Sequence, residues 1–236
     1  MALLTLQGIN KRYRQGELEV NALTDINLTI KEGEFAALVG PSGSGKTTLL
    51  NIIGGLDAAT EGSTHLNGID ISELNESKLS DFRLLQLGFV FQSYNLVPVL
   101  SALENVELVM VLQGRDKKES SERAKHYLEL VGLKEVIHRR PSALSGGQQQ
   151  RVAVARALAA GPRLVLADEP TANLDSENAT ALLDIMHTLS HEEKTTFIFS
   201  THDPRVMDRA ERIITLQDGK VVSDEHHEQR HHEQTK

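Results

Sequence analysis

The residues Gly40-Pro41-Ser42-Gly43-Ser44-Gly45-Lys46-Thr47 have the types and spacing of a phosphate cradle. They satisfy G-x-x-x-x-G-K-[ST] in full. The glycines let backbone N–H groups converge on phosphate oxygens, and a helix beginning near Gly45 points its positive end at them. In that arrangement Lys46 reaches the β- and γ-phosphates and Thr47 offers its hydroxyl oxygen to Mg²⁺. Thr48 adds an α-phosphate contact. The chemistry is that of a nucleoside triphosphate bound with magnesium.

Four further positions extend this chemistry. Asp168 closes the apolar run Leu164-Val165-Leu166-Ala167, where a strand-end carboxylate can hold Mg²⁺ through water. Glu169 follows it and suits a general base that polarises an attacking water. His202 stands after the apolar stretch Thr195–Ser200 and reads either as a γ-phosphate sensor or as a surface residue. Gln92 ends the run Gly88–Phe91 and could ligate Mg²⁺ or the water, or merely cap a strand. Tyr13 could stack on adenine or serve as a packing residue.

A second phosphate-type feature lies at Leu144-Ser145-Gly146-Gly147-Gln148. Ser145-x-x-Gln148 has the form of a capping box, and Val152–Ala159 after it is helical in pattern, stopping at Gly161-Pro162. A capped, glycine-flanked helix start is also an anion site. One nucleotide needs one cradle, so the second start suits a different nucleotide.

The elements that must position these residues can be read in outline. Short apolar runs at Leu3–Leu6, Val20–Leu23 and Ile26–Ile30 predict strands in hairpins. Phe35–Val39 predicts a buried parallel strand and Lys46–Ile53 a helix. Asn67-Gly68 predicts a turn back to the N-terminal sheet. Ser101 and Glu104 predict a capping box, and Ala124, Tyr127, Leu128 and Val131 a helix ended by Gly132. The pattern then predicts a helix over Ser176–Leu189, a strand over Thr195–Ser200, a short helix starting at Asp203-Pro204 and a hairpin turning at Asp218-Gly219.

The chain has 236 residues, no cysteine and a net charge of −8. That charge argues against binding nucleic acid. The absence of cysteine excludes disulfides and thiolate metal sites and suits a reducing compartment. No apolar run approaches the roughly 18 residues that span a bilayer, and Met1–Tyr13 lacks the basic lead-in of a signal peptide. Residues 224–236 form a polar, His-rich tail, with Glu225-His226-His227-Glu228-Gln229 echoed by His231-His232-Glu233-Gln234. It reads as a metal-binding tail or, on composition, as a solvated, disordered end.

Taken in order, these motifs resemble those of the ATP-binding cassette (ABC) ATPases over about residues 3–223. Tyr13 matches the adenine-stacking position, Gly40–Thr47 the phosphate loop and Gln92 the Q-loop. Leu144–Gln148 matches the signature, Asp168-Glu169 the Walker B pair, Asn173-Leu174-Asp175 the D-loop and His202 the switch histidine. The resemblance implies an α/β fold: a P-loop NTPase (RecA-like) core with an N-terminal antiparallel β subdomain and an inserted α-helical subdomain. It implies one domain over 1–223, with the β subdomain and core in 1–92 and 161–223 and the helical part in 93–160. It implies ATP and Mg²⁺ as ligands, with Thr47, Gln92 and Asp168 at the metal. Glu169, His202, Gln92 and Lys46 are then the catalytic group. It further implies a head-to-tail homodimer in which Ser145, Gly146, Gly147 and Gln148 close on the partner's ATP, with Asp175 beside them. The segments Asn51–Asp57, Gly88–Leu96 and Ala102–Val106 resemble the macrolide-exporter and lipoprotein-release branch, which includes the ATPase of the FtsE/FtsX division pair. Ala172 departs from that branch, which usually has glycine there.

By this resemblance the chain is the ATPase subunit of a transporter. It acts in the cytoplasm, peripheral to the inner membrane, and contacts the membrane only through a separate permease. The permease surface is expected around Ser93–Leu100. The alternative is an ATP-switched regulatory module of a membrane complex, in which turnover is incidental. A soluble protein of translation or repair fits less well, because such chains usually carry two cassettes or a long coiled coil. No C-terminal regulatory domain of the sugar-importer kind is expected after the last hairpin.

Overall fold

Period-2 patterning in the central strands divides the core into two. In a computed structural model, which describes residues 1–16, 18–203 and 207–226, β3 (Phe35–Val39) is buried along its whole length. Phe35, Ala37 and Val39 enter one apolar cluster, while Ala36 and Leu38 enter the other. The alternation of side chains across a strand requires this when both faces are covered.

The sheet containing β3 has the order β10-β9-β3-β8-β7-β6. Its parallel members are β6 (Leu87–Val90), β7 (Leu164–Asp168), β8 (Thr196–Thr201) and β9 (Arg212–Gln217), with β10 (Lys220–His226) antiparallel at the edge. A second, antiparallel sheet has the order β2-β1-β4-β5, from β1 (Ala2–Gln15), β2 (Leu18–Lys31), β4 (Glu61–Leu66) and β5 (Ile69–Asp70). The three N-terminal apolar runs are thus parts of one long hairpin. Register shifts between Leu6 and Lys11 bend it, as bulges do. Asn67 and Gly68 both have positive φ, as a tight hairpin turn of the primed type requires, and the turn does return to this sheet.

Helix α1 (Lys46–Ile53) lies between the two sheets, and Leu49, Ile52 and Ile53 are buried there with Leu4, Ile26 and Leu216. Helix α2 (Glu76–Gln86) is mostly polar and has no counterpart among the elements read from the sequence. It buries only Phe82 and starts on an Asn75 cap that accepts from Lys78 N–H. The other face of the parallel sheet carries α3 (Ala102–Leu112), α4 (Lys117–Leu130), α5 (Gly146–Ala159) and α6 (Ser176–Glu193). The Ser101–Glu104 capping box is formed, and Ala124, Tyr127, Leu128 and Val131 are buried. Helix α6 runs past Leu189 to Glu193 and ends at Lys194 in the left-handed region. The predicted helix start at Pro204 falls outside the described residues.

The polar C-terminal segment starts later than its composition suggests. Asp224, Glu225 and His226 belong to β10. The cause is Arg212, a buried side chain whose Nε and Nη2 donate to Asp224 Oδ1 and Oδ2, each at 2.7 Å. Its Nη1 donates to Glu34 Oε2 at 2.7 Å and to the Thr29 carbonyl at 2.8 Å. The bond from Arg212 holds the Asp224 carboxyl below its ordinary value, and burial opposes this only in part. The expectations for residues 227–236 lie outside the described residues.

Replacing Arg212 with methionine leaves two carboxylates without their cation. It should destabilise the chain by ~3 kcal/mol at neutral pH. Asp224 binds its proton more weakly folded than unfolded. Its stabilisation is therefore complete above the unfolded value of about 3.9 and is lost as pH falls through the lower folded value. Urea denaturation of the parent and Arg212→Met from neutral pH to pH ~3 should show the gap narrowing on acidification.

Candidate nucleotide site

The end of β3 runs directly into the phosphate cradle. Gly40 has φ +149°, and a Cβ there would meet the Leu216 carbonyl oxygen at 2.1 Å. Gly45 has φ +105°, and a Cβ there would meet the Ala22 carbonyl oxygen at 2.8 Å. Only glycine lets the loop pass between these backbones. Gly219 N–H donates to the Ser44 carbonyl at 3.1 Å and so ties the loop to the β9–β10 turn. Helix α1 starts at Gly45 with no side-chain cap, which leaves its first N–H groups for an anion. The buried Ser44 hydroxyl has no protein partner. Lys46 lies folded onto the loop, with Nζ donating to the Gly40 and Pro41 carbonyls at 2.8 and 3.1 Å.

The second part of the site comes from neighbouring strand ends. Thr47 Oγ1 donates to Asp168 Oδ1 at 3.1 Å. Ser200 Oγ donates to the same oxygen at 2.6 Å and accepts from Glu169 N–H at 2.9 Å. Glu169 has φ +48°, a left-handed conformation unusual outside glycine. That turn brings its carboxylate to 3.0 Å from His202 Nδ1. Glu169 is largely buried, whereas the His202 side chain is 68% exposed. The Gln92 carbonyl accepts from Asn173 Nδ2 at 2.9 Å.

A cleft of about 710 Å³ gathers these groups, with Pro41–Gly43, Gly45–Thr48, Gln92, Glu169 and His202 on its walls. That volume suits a nucleotide-sized ligand. Ala172 lines it too, with a backbone outside the positive-φ region, so the alanine that replaces the usual glycine costs no strain. The hard oxygen donors Thr47 Oγ1 and Asp168 Oδ1 converge beside Gln92, a donor set that fits Mg²⁺.

Tyr13 is not itself a wall of this cleft but pairs in β1–β2 with Val20, which is. Its hydroxyl donates to Asp57 Oδ2 at 2.6 Å, and Lys11 Nζ stands 4.7 Å from the ring centroid. Burial first, and the bond to Asp57 second, push the Tyr13 phenol above its ordinary value.

Ser145, Gly146, Gly147, Gln148 and Asp175 do not line this cleft. Ser145 caps α5: Gln148 N–H donates to Ser145 Oγ at 3.2 Å, and Ser145 N–H donates to Gln148 Oε1 at 3.0 Å. Ser145 is exposed. Asp175 caps α6, and the Asn178 N–H bond holds its carboxyl below the ordinary value. Sequence reading missed Ser200, the bridge between Asp168 and Glu169, and the Lys11–Asp57 pair behind Tyr13. The one available signal for Ser200 was its place two residues before His202 at a strand end.

A phosphate loop on a parallel sheet, with an acidic strand end beside it, defines a P-loop NTPase. Comparison narrows the class. A family model described as "ABC transporter" matches residues 23–172. A lipoprotein-releasing system ATP-binding protein, LolD, of Anaeromyxobacter dehalogenans is 47% identical, over 94% of this chain and 93% of its own. A macrolide export ATP-binding/permease protein, MacB, of Aggregatibacter actinomycetemcomitans is 46% identical, over 95% of this chain but 35% of its own length. The solved dimer of the ATP-binding cassette MJ0796 from Methanocaldococcus jannaschii, in a post-hydrolysis state bound to ADP and Pi, superposes with TM-score 0.88 at 44% identity. It covers 94% of this chain and 98% of its own. The chain belongs to the ABC transporter family, in the branch of the macrolide-export and lipoprotein-release ATPases. Its fold is a RecA-like P-loop core with an N-terminal β-sheet and an inserted helical subdomain, and it binds and hydrolyses ATP.

Ser200→Ala removes one hydrogen bond to a carboxylate and strands the Glu169 N–H. A bond of this kind contributes ~1.5 kcal/mol, so ATP turnover should fall by roughly tenfold. Nucleotide affinity, read by titration with a fluorescent ATP analogue, should change far less.

Proposed function

We propose that two copies of this chain close head to tail on two MgATP and drive a separate membrane permease of the lipoprotein-release or macrolide-export type. One observation carries the reading. Among the described residues two helix starts are glycine-flanked, and only one of them borders the nucleotide cleft. The exposed start at Ser145 is half of a site, completed by the ATP of a second copy. That MJ0796 forms a dimer supports the same arrangement here.

In this reading Lys46 exchanges its bonds to Gly40 and Pro41 for β- and γ-phosphate oxygens. Thr48 contacts the α-phosphate, and adenine stacks on Tyr13. Bound Mg²⁺, held by Thr47, Asp168 and Gln92, supplies charge neutralisation at the phosphates. Glu169 orients a water in line with the γ-phosphorus and takes its proton as the new P–O bond forms and the bond to the ADP oxygen breaks. His202 fixes the Glu169 carboxylate and donates toward the γ-phosphate. Ser145, Gly146 and Gly147 of the opposite copy stabilise the developing charge.

We assign residues 93–160 as the arm that carries the signature and meets the permease. Arg156 of α5 donates to the Tyr94 and Asn95 carbonyls at 2.9 and 2.6 Å, so the segment after Gln92 and the signature helix move together. An apolar groove of about 370 Å³ adjoins that segment, walled by Leu84, Leu87, Phe89, Leu108 and Val109. It suits an amphipathic element of a membrane partner. Val99 within the expected Ser93–Leu100 surface is 69% exposed, whereas Leu96 packs on the core. Among the described residues no helix is long and apolar enough to cross a membrane. Such a subunit works on the cytoplasmic face of the membrane.

Glu169→Gln should bind ATP, lower hydrolysis by at least ~10²-fold and accumulate as a dimer on a sizing column with MgATP. If that variant sustains cellular function, ATP acts as a switch and the motor reading fails. Lys46→Ala and Ser145→Arg subunits, each inactive alone, should regain activity when mixed, because one heterodimer site is intact. Mixed dimers no more active than either parent would refute the shared site.

A further inference from the structure

Far from the nucleotide, at the opposite end of the parallel strands, three ligating side chains meet. His187 and His191 stand one turn apart on α6, and Glu211 immediately precedes β9. Their Nε2, Nε2 and Oε1 atoms form a triangle. The sides are 3.1 Å between the two histidines, 2.9 Å from His191 to Glu211 and 3.4 Å from His187 to Glu211. A tetrahedral zinc ion with ligands at 2.0–2.1 Å has ligand–ligand edges of about 3.3 Å. The triangle therefore has the dimensions of one face of such a coordination sphere.

The surroundings hold it in place. The His187 ring packs edge-on against Phe35 with centroids 5.3 Å apart, and His191 packs edge-on against His187 at 4.5 Å. Glu211 N–H donates to the Phe35 carbonyl at 3.0 Å, which fixes the carboxylate beside the helix. The His187 and Glu211 side chains are about three-quarters buried, at 26% and 25% exposure, while His191 is half exposed. The triangle is thus open on one side, where an ion can enter and a water can complete the fourth position.

We infer that His187, His191 and Glu211 bind a divalent transition-metal ion of the zinc class. Two imidazoles and a carboxylate match zinc's borderline character and its three-ligand-plus-water geometry. Neutral imidazoles supply the lone pairs, so an incoming ion displaces any proton shared among the three groups. The ion links the C-terminal half of α6 to the start of β9. It stabilises the fold by mass action and takes no part in ATP chemistry.

The test uses the full chain, stripped with chelator, with His227, His231 and His232 replaced by alanine to silence the tail. Titration with Zn²⁺ should show one equivalent bound and a rise in thermal midpoint, and Co²⁺ should give the visible bands of four-coordinate cobalt. Exposed His191→Ala and the isosteric Glu211→Gln should each weaken binding by at least tenfold and abolish the thermal shift, while their metal-free midpoints and ATP binding stay near the parent's. Equal zinc affinity in parent and variants places the ion elsewhere and overturns the assignment. So does a parent that binds no zinc, in which case the cluster is a hydrogen-bonded network only.

Discussion

The parallel register of β3, β8 and β7 sets where each reacting group stands. Val39 pairs with Thr201, and Asp168 with Ser200, so the strands end at one edge. The cradle leaves from β3, the carboxylates from β7, and Ser200 and His202 from β8. A slip of one residue would turn Asp168 into the core and send Ala167 to its place. The aromatic packing of Phe35 on Phe197 and Phe199, with centroids 5.5 and 4.8 Å apart, holds that register from the far end.

Two helix starts in this chain use the same physics differently. At α1 glycine leaves the first N–H groups uncapped, and the cradle is folded over a lysine. At α5 the Ser145–Gln148 box satisfies the N–H groups of Ser145 and Gln148, and the start faces outward. The uncapped one suits a buried, permanent pocket. The capped one can stand in water until an anion arrives on another surface. Helix α5 is also tied inward: the buried Gln150 Nε2 donates to the Pro170 carbonyl at 2.8 Å, next to Glu169. Ser145 and Glu169 therefore sit on one connected frame.

Much of this was legible in the residues. The cradle, the strand–carboxylate pair, the capping boxes at Ser101 and Ser145 and the turns at Asn67 and Asp218 are local. Their chemistry lies in contiguous residues, where short-range sterics and hydrogen bonds decide. Helix α2 was not legible, because it is mostly polar and buries only Phe82. Strand β10 is legible only as far as Ser223, because Asp224 looks like tail until Arg212, twelve residues earlier, reaches it.

The sequence alone determined that Gly40–Thr47 has the form of a phosphate loop, that the acidic pair Asp168-Glu169 closes an apolar strand and that Ser145–Gln148 starts a second helix. Tertiary structure alone decided that Ser200 links the Asp168 carboxylate to the Glu169 N–H, that Tyr13 is held by Asp57, and that Glu211 meets His187 and His191. The reason is range. A motif is dictated by neighbours along the chain, whereas those contacts join residues 20 or more positions apart. They exist only once burial of β3 between its two apolar layers has brought distant segments together.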